Sequence, residues 1–487
     1  MEGFAKVAKK SVKKNYIYNL IYQTLLLIIP LITTPYLARV LKADGVGSVS
    51  FAESIVSYFT MFATLGITIY GQREISYVQD DINKRTHVFW ETKTLQILTS
   101  LIAFLIYIPF SLFQENRIMY LILAFNLIAV MVDVVWLFQG MEEFGKIVIR
   151  NIIFKIISIA YIFIAVRTKD DINKYVFGLA FFLFLSNASL WYHVPKYVGK
   201  PIWKEIRPIR KLKTVISLFI PTIAIQIYTV FDKTMIGLIT QSSFENGYYE
   251  QAIKLSKMLL VVVTSLGTVM IPRIGFHYSK GETEQVRSYM YRGYRFVWFL
   301  GTPLCFGLIG IASNFVPWFF GQGYDQVIPL LRILAFLIIA IGISNVTGMQ
   351  YLIPTNRQNL LTLTVFIGAG VNFSLNIVLI YFFQSIGAAI ASVIAESAVA
   401  LVQIYFVRKE LSPKEILISS WHYLLASGIM LIVLKVAGNI LTPSIVHTVI
   451  QIVSGAVVYG VILLVLKDEF LLSNIKSIMG EIIKKRG

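Results

Sequence analysis

Apolar residues fill this chain in about fourteen blocks, most of about 20 to 25 residues, separated by short polar connectors. A hydrocarbon core about 30 Å thick needs about 20 residues of helix, so each block has the length of one crossing. A β-barrel would show alternating strands of about 10 residues instead, and no such alternation is present. The predicted spans are 15–40, 46–70, 88–113, 118–139, 147–166, 175–193, 213–240, 248–271, 293–312, 327–349, 359–383, 386–407, 418–437 and 446–466. The connector at Gln384-Ser385 is so short that its two flanking spans read almost as one stretch.

Composition agrees with a bilayer environment. Mean hydropathy is +0.71, 56% of residues are hydrophobic and 14% are charged, against roughly a quarter charged in soluble domains. The start resembles a signal peptide, with Lys6, Lys9, Lys10, Lys13 and Lys14 before an apolar run. That run is too long for a signal core and no small-residue cleavage site follows, so it is expected to be retained, with the mature chain starting at Met1. The single cysteine, Cys305, excludes an intrachain disulfide and a cysteine-based metal site.

Charge placement predicts orientation. The connectors sharing a side with the N-terminus hold roughly 30 Lys and Arg and the opposite ones about 5, which puts both termini in the cytoplasm. The net charge of +18 is therefore a topology signal, not a nucleic-acid footprint. The basic inner connectors 194–212 and 273–292 suit anionic headgroups. The tail, with Phe470, Leu471, Ile475, Ile478, Met479 and Ile482 near helical spacing, reads as an interfacial helix. The outward connectors around Ser242–Gly247, Ser313–Asp325, Gln384-Ser385 and Gly438–Ile445 lack Lys and Arg and are short, leaving little room for an external catalytic loop.

An internal repeat supplies the architecture. From Tyr16 the chain runs through a helix expected to break at Pro30 and Pro35, a turn ending Gly45-Val46-Gly47, then Leu65-Gly66 and Gln72-Arg73. From Thr214 it repeats this order with Pro221, Gly247-Tyr248-Tyr249, Leu266-Gly267 and Pro272-Arg273. A period of six spans preserves orientation, so the expected fold is an all-α membrane protein of two parallel six-helix lobes around a central cavity, plus two C-terminal helices. Its expected parts are a basic N-terminus (1–14), an N-lobe (15–196), a basic linker (197–212), a C-lobe (213–407), helices 13 and 14 (408–466) and an amphipathic tail (467–487).

Charge within a span costs at least about 2.5–3.5 kcal/mol, so intramembrane ionisable groups are functional candidates. Those bearing on cargo are Arg39, Lys155, Lys233, Lys254 and Lys257, with Gln251 on the face of the last two. Glu53, Asp133, Asp232 and Glu396 are candidates for ion pairing or for coupling. Asp133 and Lys155 could neutralise one another, whereas the adjacent Asp232 and Lys233 point about 100° apart and need partners on other helices. Snorkelling or a structural ion pair remains the alternative for each. Trp136 and Gln139, beside Asp133, are the aromatic and amide candidates for a sugar.

The stretches Asn15–Gly47, Asp133–Glu142, Lys146–Lys155 and Phe231–Gly237, in this order, resemble the bacterial polysaccharide-repeat flippases of the MOP superfamily, across essentially the whole chain. The resemblance implies export of an undecaprenyl-diphosphate-linked oligosaccharide across the plasma membrane by alternating access, for capsule, O-antigen or a similar glycan. It places Asp232 and Lys233 on the family's Asp-basic pair of the seventh span. Membrane lipids and the glycan polymerase machinery are the further candidate partners, a monomer is sufficient, and no cofactor is expected beyond coupling to protons, sodium or the membrane potential. A lipid II flippase or a drug/cation antiporter would share the fold, although cation cargo wants carboxylates rather than a basic interior. A glycan polymerase or ligase would need the external loop that is missing.

Overall fold

The structure, a computed structural model, describes the backbone of residues 12–265 and 267–473, with side chains from Ile28 onward except at 220–222, 224–229, 268 and 269. The N-terminal lysines before residue 12 and the tail beyond residue 473 lie outside the described residues. Among the described residues the regular structure is entirely helical. In chain order the helices are α1 (Val12–Thr64), α2 (Ile67–Tyr77), α3 (Ile82–Leu112), α4 (Arg117–Val132), α5 (Val135–Gly140), α6 (Phe144–Ala165), α7 (Ile172–Ser189), α8 (Leu212–Thr240) and α9 (Ser243–Thr264). They continue as α10 (Gly267–Ser279), α11 (Thr283–Phe320), α12 (Val327–Leu334), α13 (Leu337–Asn345), α14 (Gln358–Val407), α15 (Pro413–Ile418), α16 (Trp421–Ile440) and α17 (Ile445–Val465).

Among the described residues ten helical stretches are long and apolar enough to cross a membrane, and two of these, Ile28–Tyr77 and Gln358–Val407, run to 50 residues. A straight helix of that length would span about 75 Å, more than twice the hydrocarbon core, so each must turn back. The reversals fall at single residues of positive φ, Lys42 (φ 59°) and Gln384 (φ 53°). Just past the second, Gly387 sits so close to the chain before the turn that a Cβ would lie 2.0 Å from the Leu379 carbonyl oxygen. With α8 (29 residues) and α9 (22 residues), the crossings among the described residues number fourteen, as the hydrophobic pattern predicts.

The repeat is visible in where helices break. The second span stops at Leu65 (φ 41°) and Gly66 (φ 72°) before α2, and its repeat equivalent stops at Thr264 before α10 begins at Gly267. Pro30 and Pro35, by contrast, do not break α1, where the one non-helical residue is Lys42. Each proline removes one intrahelical hydrogen bond, a local loss that the rest of the helix absorbs.

By packing, the chain divides into two compact units, Met1–Thr234 and Met235–Gly487. The division lies inside α8, not in the basic linker at 197–212, because the first part of α8 packs on unit 1. Leu212, Val215 and Leu218 join Ile67, Tyr70 and Leu95 in one apolar cluster, and a Cβ on Gly66 would be 3.1 Å from that of Phe219.

The fourth span of unit 1 breaks inside the predicted crossing 118–139. Asp133 (ψ 132°) is extended between α4 and α5, about 24 Å from the start of α4. The last carbonyls of α4 are thereby released from the helix and need partners elsewhere in the protein. Lys93 of α3, at 0% exposure, donates to the carbonyls of Met131 (2.7 Å) and Asp133 (2.8 Å). Gln96 donates to Val130 (2.8 Å), Trp191 to Val132 (2.7 Å) and Asn187 to Ala129 (3.0 Å). Three other helical segments therefore cap α4 with side chains, and the lysine's positive charge complements the negative end of the helix dipole.

In unit 2, α16 and α17 pack on α11. The Tyr459 hydroxyl donates to the Phe299 carbonyl (2.7 Å) and Trp298 to that of Ile416 (3.0 Å). Where α14 is entered and left, Arg357 grips the Glu410 carboxylate through two hydrogen bonds of 2.8 Å, with the Tyr351 hydroxyl on the same carboxylate. Burial works against the Glu410 charge, but the hydrogen bonds from Arg357 and Tyr351 outweigh it and hold its carboxyl below the ordinary value of 4.5.

Two outcomes follow from these contacts. Lys93→Met leaves two partly buried carbonyls without this donor, at up to about 1–3 kcal/mol each; thermal melting of the detergent-solubilised protein should fall by several degrees, and an unchanged melt would remove Lys93 from its capping role. Because the Glu410 carboxyl is held low, its contribution is complete above its unfolded value and is lost as pH falls through the folded one. Glu410→Gln should therefore lower melting at pH 7, by on the order of 1 kcal/mol for this partly exposed pair, and the gap to wild type should close in acid.

Candidate functional site

The ionisable side chains predicted for cargo are distributed over both units. In unit 1, Arg39 is exposed on α1, Lys155 is exposed on α6, and Lys233 is half-buried on α8. Glu53 is half-buried on the second half of α1 and acts electrostatically on Lys155. The expected neutralisation of Lys155 by Asp133 is therefore corrected. The charges acting on Asp133 are Lys93 and Arg150, because Asp133 sits at the α4 break, where those two side chains converge.

Arg150 is itself tied down on α6. Its guanidinium donates to the Ser186 carbonyl (3.0 Å) and to the side chains of Asn151 (2.7 Å) and Asn187 (3.4 Å). The Asp133 carboxylate also accepts the Val135 amide (2.9 Å). Asp133 is thus hydrogen-bonded into the break, with Lys93 and Arg150 as the cations that act on it.

Trp136 also moves out of the cargo set. It has 0% exposure, with one face on Gly71, where a Cβ would lie 2.6 Å from the ring, and with Phe89 at 5.3 Å between centroids. Its indole N–H donates to Gln96 (3.3 Å), whose oxygen also accepts Lys93 (3.2 Å). No face is left for a sugar ring. Gln139, one turn on, is half-buried, and its Oε1 is buried with no hydrogen-bond donor among the described residues.

On α8, Asp232 is 8% exposed and Thr234 binds two side chains of α1, the Tyr58 hydroxyl (3.0 Å) and the Ser54 hydroxyl (3.0 Å). The Tyr58 hydroxyl feels the Asp232 charge. The Asp-Lys-Thr stretch is therefore fastened to the second span of unit 1 through Thr234, with Lys233 beside it.

In unit 2, Lys254 is half-buried and Lys257 exposed on α9, but Gln251 is 2% exposed. The three do not share one open face. Each step of three residues turns a helix back by about 60°, so from Gln251 to Lys257 the direction changes by about 120° and the glutamine enters the packing. Glu396 is half-buried on the second half of α14. Among the described residues no cluster of His, Cys, Asp and Glu could hold a metal ion.

Lys93 is the residue that the sequence pattern signals most weakly for its importance. It lies just inside the third predicted span, where a lysine reads as a snorkelling end residue. Only the packing of α3 against the α4 break shows that it is enclosed.

Residues 12–276 match the family described as polysaccharide biosynthesis protein. The chain is 27% identical over 416 residues to a protein of Escherichia coli (strain K12) described as an O-antigen transporter, covering 82% of this chain and 97% of that one. A Shigella dysenteriae protein of the same description is 23% identical over 407 residues, covering 81% and 100%. Among solved structures, the lipid II flippase MurJ in an inward closed conformation superposes with a TM-score of 0.75 at 18% identity, covering 94% of this chain and 100% of that one. An inward-facing multidrug resistance MATE transporter of the MOP superfamily gives 0.58 at 13% identity, over 76% and 93%. The chain belongs to the polysaccharide biosynthesis protein family, and its fourteen crossings take the fold shared by MurJ and the MATE transporters of the MOP superfamily.

Proposed function

We propose that this protein is a flippase that carries an undecaprenyl-diphosphate-linked oligosaccharide from the inner to the outer leaflet of the bacterial plasma membrane, with both termini in the cytoplasm. Family membership supports a role in polysaccharide biosynthesis, and the shared transporter fold supports alternating access over catalysis. The observation that carries the cargo reading is the excess of lysine over carboxylate in the spans outside the capped Asp133 site. Lys155, Lys233, Lys254 and Lys257 are half-buried or exposed on their own units, at depths where an unneeded charge would be costly. Two of them, on α9, stand toward the side where the positive-inside rule disfavours cations. A diphosphate is the chemistry that would repay their placement.

In this reading Lys155 meets the anionic head in exchange for Glu53, and Lys233 is presented by a segment that Thr234 anchors to α1. Gln139 and Arg39 are the further polar groups available to it. Outward movement of about two negative charges across an inside-negative potential yields roughly 2.3 kcal/mol per charge per 100 mV, so the potential alone favours export. Glu53, Asp133 and Glu396 are the carboxylates available for a coupled proton or sodium ion.

The direct test is the leaflet distribution of lipid-linked oligosaccharide in depleted cells, read with a membrane-impermeant sugar-oxidising probe. Units held on the cytoplasmic side are expected; units reaching the outer face normally would overturn the reading, and trapping of lipid II instead would transfer it to a lipid II flippase. Lys233→Ala and Lys254→Ala should each reduce surface glycan at least about tenfold, the equivalent of about 1.4 kcal/mol of phosphate affinity, with protein still in the membrane. Lys233→Arg should retain part of the activity, and if it is as inactive as alanine the lysine serves packing instead.

A further inference from the structure

The connectors between the odd and even spans of unit 1 meet at the end opposite the N-terminus and enclose a cleft of about 420 Å³. It is lined by the turn at Asp44, Gly45 and Ser48, by Glu115 to Met119, and by Lys169, Asp170, Ile172 and Asn173. Its volume lies within the range of small-molecule sites, about 300–1,000 Å³.

The walls are held by their own contacts. Lys169 pairs with Asp44 at 2.6 Å, joining two of the three connectors. Asp171 accepts the amides of Arg167 (3.0 Å) and Thr168 (2.9 Å) and pairs with Lys174 at 2.6 Å, which stiffens the connector that carries Lys169. Gly45 brings the first turn close, since a Cβ there would lie 3.2 Å from that of Leu41.

What remains on the walls is unspent hydrogen-bonding capacity. Glu115, Asn116, Arg117, Asp170 and Asn173 make no side-chain hydrogen bond or ion pair among the described residues. Asn116 stands at the N-cap of α4 yet makes no cap hydrogen bond. The set comprises planar carboxylates, carboxamides and a guanidinium, each able to take two adjacent hydroxyls at once. Ile118, Met119 and Ile172 add a small apolar surface of the kind the C–H face of a sugar ring covers. Charge argues against other ligands. The carboxylates of Asp44, Glu115 and Asp170 face the cations Arg117 and Lys169, a near balance that selects neither a diphosphate nor a metal ion.

We propose that this cleft is a docking site for a neutral or weakly charged short saccharide. That the saccharide is the sugar portion of exported cargo, held as it emerges on the outer side, rests on the flippase reading; the affinity of the cleft for a saccharide does not. The lysines of the spans would hold the diphosphate, and this cleft would hold hydroxyls.

The test uses the full-length protein in its own cells, with a photo-crosslinking residue at the cleft rim in place of Glu115 and at the exposed control position Ile440. Sugar adducts, read by hydrolysis and mass spectrometry, are expected at least about tenfold more often at 115 than at 440. They should be lost when Asn173→Trp fills the cleft, and reduced by Arg117→Gln, whose side chain is exposed and whose change is small enough to keep the fold. Adducts absent from 115, or equal at the control, would overturn the proposal. If adducts persist when lipid-linked sugar synthesis is blocked and a free saccharide is supplied, the cleft binds saccharide from solution and only the cargo assignment fails. Trapped units in the depletion experiment with no adducts at 115 would retain the flippase and remove the cleft.

Discussion

A polar backbone group released inside a membrane must find a partner in the protein, and the break at Asp133 makes that demand several times within one turn. The answer is a set of side chains from three other helical segments, led by the fully buried Lys93. Because Lys93, Gln96, Asn187 and Trp191 all reach one helix end, the packing of α3, α4 and α7 is specified by hydrogen bonding as well as by shape. This matters more here than in water. Lipid supplies no hydrophobic drive between helices, so directional contacts and close packing must set their register.

The same constraint separates two kinds of intramembrane charge. Asp133, Lys93 and Arg150 converge on the break, and their charges are spent on holding unit 1 together. Lys155, Lys233, Lys254 and Lys257 are half-buried or exposed on their units, and it is on this second group that the proposed cargo reading rests. Counting candidates without regard to enclosure would merge the two, and would leave the fully enclosed Trp136 among the groups open to cargo.

The two units solve a common problem with different residues. Both carry a second-type span that is interrupted, at Leu65-Gly66 in one unit and between the end of α9 at Thr264 and the start of α10 at Gly267 in the other. Both fold a double-length helix back at one residue of positive φ. What differs is the polar decoration: serine, tyrosine and glutamate on the second half of α1, lysines on α9. A duplicated framework can thus keep its backbone breaks while its side chains diverge toward separate tasks.

The sequence by itself determined the number of crossings, the hairpin at Gln384, the repeat and the family, because each depends on local composition: block length, turn residues and the order of motifs along the chain. It also marked Lys155, Lys233 and Lys254 as charges in costly places. Only the tertiary structure decided which charges are enclosed. That Lys155 answers to Glu53 and not Asp133, that Gln251 turns inward, that the prolines of α1 leave it unbroken, and that Lys93 caps a helix distant in sequence all follow from contacts between helices. Such contacts depend on the rotation of each helix about its axis, and a nearly uniform apolar surface leaves that rotation unwritten in the hydrophobic pattern.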